Sequence, residues 1–258
     1  NYHDGAVWRQ KYQCGLPITQ LVGIRDARSE GRTGTQIVFR PDYTIFDASD
    51  FDRSLVVQYA HDIAKLFPGV TVELRDSRTD PFYETSFQYP EGLKTYVEKL
   101  NRGSNALHDV VHLRRNVKLS PSHYGNHAIT AEIEVALQFS NGADAVLEGY
   151  ANGWRTRGTH IAAIKAAILS CINEYMHTQD AHVEHPDFTW DEISTGLSVA
   201  VSVYYLALGF AQGDIYRVEN PELFGPIAGV VFEAFSQHRI KSETLERIIE
   251  HYLLQRVL

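Results

Sequence analysis

A chain of 258 residues, 44% of them apolar, has the length for one large domain or two modest ones and the material for a buried core. Its formal net charge of −8 excludes a surface that grips nucleic acid over its whole extent, so any such contact must be local. No run approaches the roughly eighteen apolar residues that a membrane-spanning helix needs, and Asn1-Tyr2-His3-Asp4 is unlike a signal peptide; the expectation is a cytoplasmic protein with no membrane contact. Cys14 and Cys171 lie far apart inside apparent elements of structure, without zinc spacings, and are expected to be buried thiols.

Residues 6–12 alternate large apolar with polar side chains, as a strand does, and with no initiating methionine ahead of them the chain reads as a fragment. Gly15-Leu16-Pro17 and Gly31-Arg32-Thr33-Gly34 are turns, and a strand is expected over 35–40, closed by Pro41. Leu55, Tyr59, Ile63 and Leu66 fall at helical spacing, and Pro68-Gly69 stops that helix. A strand at 70–74, another at 85–89 and a helix at 91–100 follow. Strand-like runs come next at 110–113, 128–139 and 143–150, with Asn141-Gly142 expected to turn a hairpin between the last two. Thr159 is a suitable N-cap for a helix whose Ile161, Ile164, Ile168, Ile172 and Tyr175 share one face. A polar, histidine-bearing connection, a strand at 197–205 and helices from about Asn220 and Ser242 complete an α+β pattern.

The helix at 159 is entered from Arg155-Thr156-Arg157-Gly158-Thr159-His160, a basic turn containing glycine. The turn and helix together resemble the Gly-Gly-Thr-His turn and following helix in the ATPase subunit of bacterial type II DNA topoisomerases, the family of DNA gyrase B and its topoisomerase IV counterpart. Further segments match in the same order: Arg9-Gln10 with Gly15-x-Pro17, Gly34-Thr35-x-x-x-Phe39-x-Pro41, residues 69–76, residues 89–101, residues 133–138 and residues 196–203. The resemblance implies the C-terminal strands of a GHKL ATP-binding domain at 1–45 and a transducer domain at 46–258. That transducer domain is a ribosomal-protein-like two-layer sandwich with a left-handed βαβ crossover, against the general rule. It further implies ATP and magnesium as cofactors, a homodimer formed through the ATPase region, and DNA and a DNA-cleavage subunit as partners.

Phosphoryl transfer depends on cations positioned around the γ-phosphate, and the resembling proteins supply one from a Gln-Thr-Lys loop of the transducer domain. Ungapped matching of Val201-Ser202-Val203 and Asn220-Pro221-Glu222 puts Gly213, Asp214 and Ile215 on those three positions. Ile215 offers no charge, and Asp214 would repel phosphate. Gln212 and Arg217 are then the nearest candidates for nucleotide contact. Thr35 matches a threonine that meets the adenine edge, although its β-branch equally suits a strand residue. His3 stands where the family has an arginine. The family's catalytic glutamate and magnesium-binding asparagine precede Asn1, so no catalytic residue is assigned.

For DNA, the candidates are Arg155, Arg157 and Lys165 at the basic turn and the start of its helix, with Arg114-Arg115 as a lesser candidate. His108 with His112, and His123 with His127, have i,i+4 spacing but no helical context, so no metal site is expected. His177, His182 and His185, with Asp180 and Glu184, read as an acidic solvated loop. Two functions remain: the transducer region of a type II topoisomerase ATPase subunit, or a diverged paralogue that kept the fold without ATP turnover and serves as a binding, scaffold or repurposed enzyme module.

Overall fold

The computed structural model describes residues 2–3, 6–26, 33–47, 51–120, 127–142, 145–179, 186–236 and 240–257. They fall into two compact units, Asn1–Asp52 and Arg53–Leu258. The first unit carries β1 (Tyr2–His3), β2 (Ala6–Arg9), β3 (Tyr12–Gln13), β4 (Leu16–Pro17) and β5 (Val22–Asp26). An antiparallel sheet runs β1-β2-β5, and β3 pairs with β4 across a turn in which Cys14 has φ 48°. That turn puts Cys14 at the surface, against the expectation of a buried thiol. Residues 35–40 form no strand either. β-branched and aromatic side chains favour a strand only where a neighbour completes the ladder, and the described strands of this unit pair with one another.

The second unit contains α1 (Arg53–Leu66), β6 (Thr71–Asp76), β7 (Tyr83–Gln88), α2 (Leu93–Leu100), β8 (Val111–Leu119), β9 (Ile129–Phe139), β10 (Val146–Ala151), β11 (Trp154–Arg155), β12 (Arg157–Gly158) and α3 (Thr159–Gln179). It continues with α4 (Trp190–Ile193), β13 (Leu197–Tyr204), β14 (Phe210–Ala211), β15 (Asp214–Val218), α5 (Phe224–Ser236) and α6 (Ser242–Val257). Five strands form the central sheet in the order β11-β10-β13-β9-β8. β13 lies parallel to β10 and antiparallel to β9. β9 and β10 are therefore not a hairpin, despite Asn141-Gly142, because β13 returns from α3 and inserts between them. Its near-continuous apolar run, Leu197 to Val203, suits a strand covered on both faces.

The two faces are covered differently. Along β9, Ala131, Ile133, Val135, Leu137 and Phe139 point into the main core, which α3, α5 and α6 complete. Ile164, Ile168 and Ile172 of α3 are fully buried there, with Ile161 and Tyr175 packed at the rim. Cys171 is buried on the same helix, and burial pushes its thiol up to about 12. On the opposite face lie α1, α2 and the two-stranded β6–β7 ladder. Here α1 turns its small and charged residues inward. Ala60, Asp62, Ala64 and Lys65 are buried, while Tyr59 and Ile63 of the apolar stripe stay 47% and 44% exposed.

Candidate functional site

The basic turn and the hairpin β14–β15 are built against each other. After β10, Asn152 (φ 48°) and Gly153 reverse the chain into β11. The Asn152 side chain then copies a strand: its Nδ2 donates to Tyr205 O at 3.0 Å and its Oδ1 accepts from Tyr205 N at 2.8 Å. β12 next runs parallel to β15, with Arg157 opposite Arg217 and Gly158 opposite Val218. Gly158 has φ 116°, and a Cβ there would lie 2.1 Å from Val218 O, so only glycine permits the approach. Thr159 begins α3, and its hydroxyl donates to Val218 O at 3.2 Å, tying the helix to β15.

Gln212 and Gly213 (φ 78°) form the exposed hairpin tip, and Ile215 is 69% exposed beside it. Asp214 accepts from Arg157 Nη2 at 2.5 Å and from Tyr216 N at 3.0 Å. Arg217 faces Glu219 across 3.5 Å. Each of the two guanidiniums brought side by side by β12 and β15 thus has its own carboxylate, and the tip presents a hydrocarbon side chain. Asn220 closes the base of the hairpin: its Oδ1 accepts from Gly209 N at 2.7 Å, and its Nδ2 donates to Ala207 O at 3.0 Å. In the sequence Asn220 stands out as a helix start and, with Pro221 and Glu222, as a matching segment; its two hydrogen bonds across the hairpin base are not foreshadowed there.

Arg155 points the other way, into an ion cluster beneath α1. Its Nη1 donates to Glu148 Oε1 at 2.8 Å and its Nη2 to Asp62 Oδ1 at 3.0 Å. Lys65, fully buried, lies 2.8 Å from Glu148 Oε2 and 3.0 Å from Asp62 Oδ1, with its ammonium 4.0 Å from the Tyr96 ring centroid. Tyr150 donates to Glu148 Oε2 at 2.6 Å. Burial alone would raise the Glu148 carboxyl, but Lys65, Tyr150 and Arg155 hold it down at about 2. Burial and Glu148 together push the Tyr150 phenol up. Two cations and two carboxylates therefore neutralise one another, Lys65 fully buried and Arg155 partly open to solvent. Nothing in the sequence pattern singles out Asp62, Lys65, Glu148 or Tyr150.

His160, in the first turn of α3, is buried, and burial lowers it to about 4, so the ring is neutral. Its Nε2 lies 3.2 Å from Thr156 Oγ1, and its Nδ1 has no partner among the described residues. Gly149 makes room for this ring; a Cβ would lie 2.4 Å from Nε2. Lys165, further along α3, stands 5.0 Å over the Trp190 ring. Thr35 belongs to the first unit and is exposed. Of the paired histidines, His108 accepts from Phe139 N through Nε2, and His112 meets Glu134 at 2.8 Å. Arg114 also reaches Glu134, and Arg115 pairs with Glu233. His177 lies 2.7 Å from Asp187, whereas His123, His182, His185, Asp180 and Glu184 fall outside the described residues.

The fold has close counterparts. The 43K ATPase domain of Thermus thermophilus gyrase B, solved with an aminocoumarin, superposes with a TM-score of 0.73 at 24% identity, over 99% of this chain and 68% of that one. The gyrase B-subunit of Myxococcus xanthus gives 0.68 at 20% identity, over 96% and 68%. In sequence, the DNA gyrase B-subunit of Thermotoga maritima is 30% identical over 228 residues, covering 87% of this chain and 32% of that protein. The DNA topoisomerase 4 B-subunit of Streptococcus pneumoniae is 30% identical over 212 residues, covering 79% and 30%. The chain thus spans about a third of the length of the curated relatives it matches. The family model described as DNA gyrase B matches residues 92–255, which run from α2 into α6 and take in the basic turn, the hairpin and the whole central sheet. With more than half its length inside that match, the chain belongs to the DNA gyrase B family.

Proposed function

We propose that this chain is the transducer region, with the end of the ATP-binding domain, of the ATPase subunit of a type II DNA topoisomerase, and that it relays nucleotide state to DNA strand passage. The observation that supports this most is the family match over residues 92–255, which includes a hairpin and a long helix joined through backbone contact at Gly158. On this reading residues 1–45 close a GHKL domain and residues 46–258 form the transducer domain. β10–α3–β13, whose strands are parallel neighbours, is then the left-handed crossover of a ribosomal-protein-like two-layer sandwich. The subunit works in the cytoplasm as a homodimer with DNA and a DNA-cleavage subunit.

The residues of this chain do not by themselves fit an ATP–magnesium site. The hairpin tip is aliphatic at Ile215 and acidic at Asp214, Arg217 has Glu219 beside it, and no trio of His, Cys, Asp or Glu among the described residues could hold a metal ion. ATP and magnesium chemistry is therefore assigned to the whole subunit, with Thr35, Gln212 and Arg217 as this chain's contacts to nucleotide. Contact with DNA phosphates falls to Arg157 and Lys165, while Arg155 positions β11 through its carboxylates. The test is DNA-stimulated ATP hydrolysis and duplex passage by the full-length polypeptide, the latter read as plasmid topology on gels. Both are expected. DNA binding with no nucleotide affinity and no change in topology would overturn the reading and leave a scaffold that kept the fold.

A further inference from the structure

The layer covering the polar face of the central sheet is attached by a different chemistry from the one that holds α3, α5 and α6. Its apolar contact is small on the sheet side: Ala64, Tyr89, Leu93, Tyr96 and Val97 of the layer meet buried Ala136 and Ala200, with Val110 partly buried beside them, and an alanine methyl contributes little to burial. At one end of this contact stands the Asp62–Lys65–Glu148–Arg155 cluster. At the other, Asn101 Nδ2 donates to Gln138 Oε1 at 2.8 Å, Ser198 Oγ donates to Asn101 Oδ1 at 3.0 Å, and Gln138 Nε2 donates to His108 O at 2.7 Å. A contact of this composition resembles the polar interface between domains rather than a core, and such interfaces open at modest cost because water can take over each polar partner.

The layer itself is coherent. β6 and β7 pair over six residues each, from Thr71↔Gln88 to Asp76↔Tyr83. Arg53 at the start of α1 donates to Asp76 at the end of β6 at 2.7 Å, and Arg78 takes the same carboxylate. His61 of α1 hydrogen-bonds Tyr89 and stacks edge-on with Tyr96 of α2, 5.6 Å between centroids. The segment is also continuous, beginning directly after Asp52 and ending near Gly103 (φ 98°).

We propose that α1, β6, β7 and α2 open from the central sheet as one body, with the Asp62–Lys65–Glu148–Arg155 cluster fixing a single closed register. The inference stands apart from the topoisomerase reading, since it concerns contacts within the second unit alone. It is tested by native-state hydrogen exchange on this chain across sub-denaturing denaturant, read by mass spectrometry. Amides of α1, β6, β7 and α2 are expected to share one opening equilibrium, at least about tenfold more populated than the opening that exposes β9, β13 and α3. Glu148→Gln is expected to raise the opening of those four elements together by about tenfold and leave α3 and β13 unchanged. If the layer exchanges only with α3 and β13, or if its four elements exchange independently, the proposal is overturned. The unsubstituted chain alone decides this, should the variant fail to fold.

Discussion

α3 and α1 lie on opposite faces of one sheet and carry similar apolar spacings, but only α3 turns its stripe inward. Ile164, Ile168 and Ile172 are buried among the main core, whereas α1 buries Ala60, Ala64 and Lys65 and leaves Tyr59 and Ile63 near half exposure. Apolar periodicity establishes that a helix forms; which face is covered depends on what the opposing surface offers. For α3 that surface is β9 and β13 with alternate Val, Leu and Ile. For α1 it is Glu148, Tyr150 and Arg155, which demand charged partners.

The sharpest way to break this contrast is Lys65→Ala, which leaves Asp62 and Glu148 buried with only Arg155 opposite. A loss of about 3–5 kcal/mol is expected, because removing one partner strands the other's charge. Chemical denaturation measures it, and a loss below about 1 kcal/mol would mean that water already reaches the cluster. On the other face, Ile168→Ala creates a cavity in close-packed core, with an expected cost of about 2–5 kcal/mol by the same measurement. Acid should expose His160 next. The folded chain accepts its proton only near pH 4, while the unfolded chain accepts one near 6.5, so stability is present above about 6.5 and falls as pH drops toward 4. The full loss is on the order of 3 kcal/mol. Thermal midpoints of His160→Gln across this window should be flatter than those of the unsubstituted chain. Smallest of all, Ile63→Ser on the exposed face of α1 should change stability by no more than about 0.5 kcal/mol; a core-sized loss would mean that the stripe is covered in solution.

Local order is legible in the sequence where short-range chemistry decides it. Pro68-Gly69 ends α1, the isoleucine spacing of α3 predicts its buried face, and the apolar run at 197–203 becomes β13. Pairing is not. Asn141-Gly142 is a sound turn signal, but the strand that adjoins β9 comes from 55 residues further on, after α3 has crossed the sheet. The same limit applies to the site. Ile215 and the hairpin can be placed by matching neighbouring segments. Arg155 stands out by its charge, yet one of its carboxylates, Asp62, is 93 residues upstream and no spacing rule connects them.

The missing side chain at Gly158 has a mechanical consequence. Backbone meets backbone there with no flexible group between, so β15 and the first residue of α3 have no compliant joint. A helix of 21 residues is a rod about 30 Å long. A tilt imposed at the hairpin would be carried, without loss in a soft linker, to Gln179 at the rod's far end.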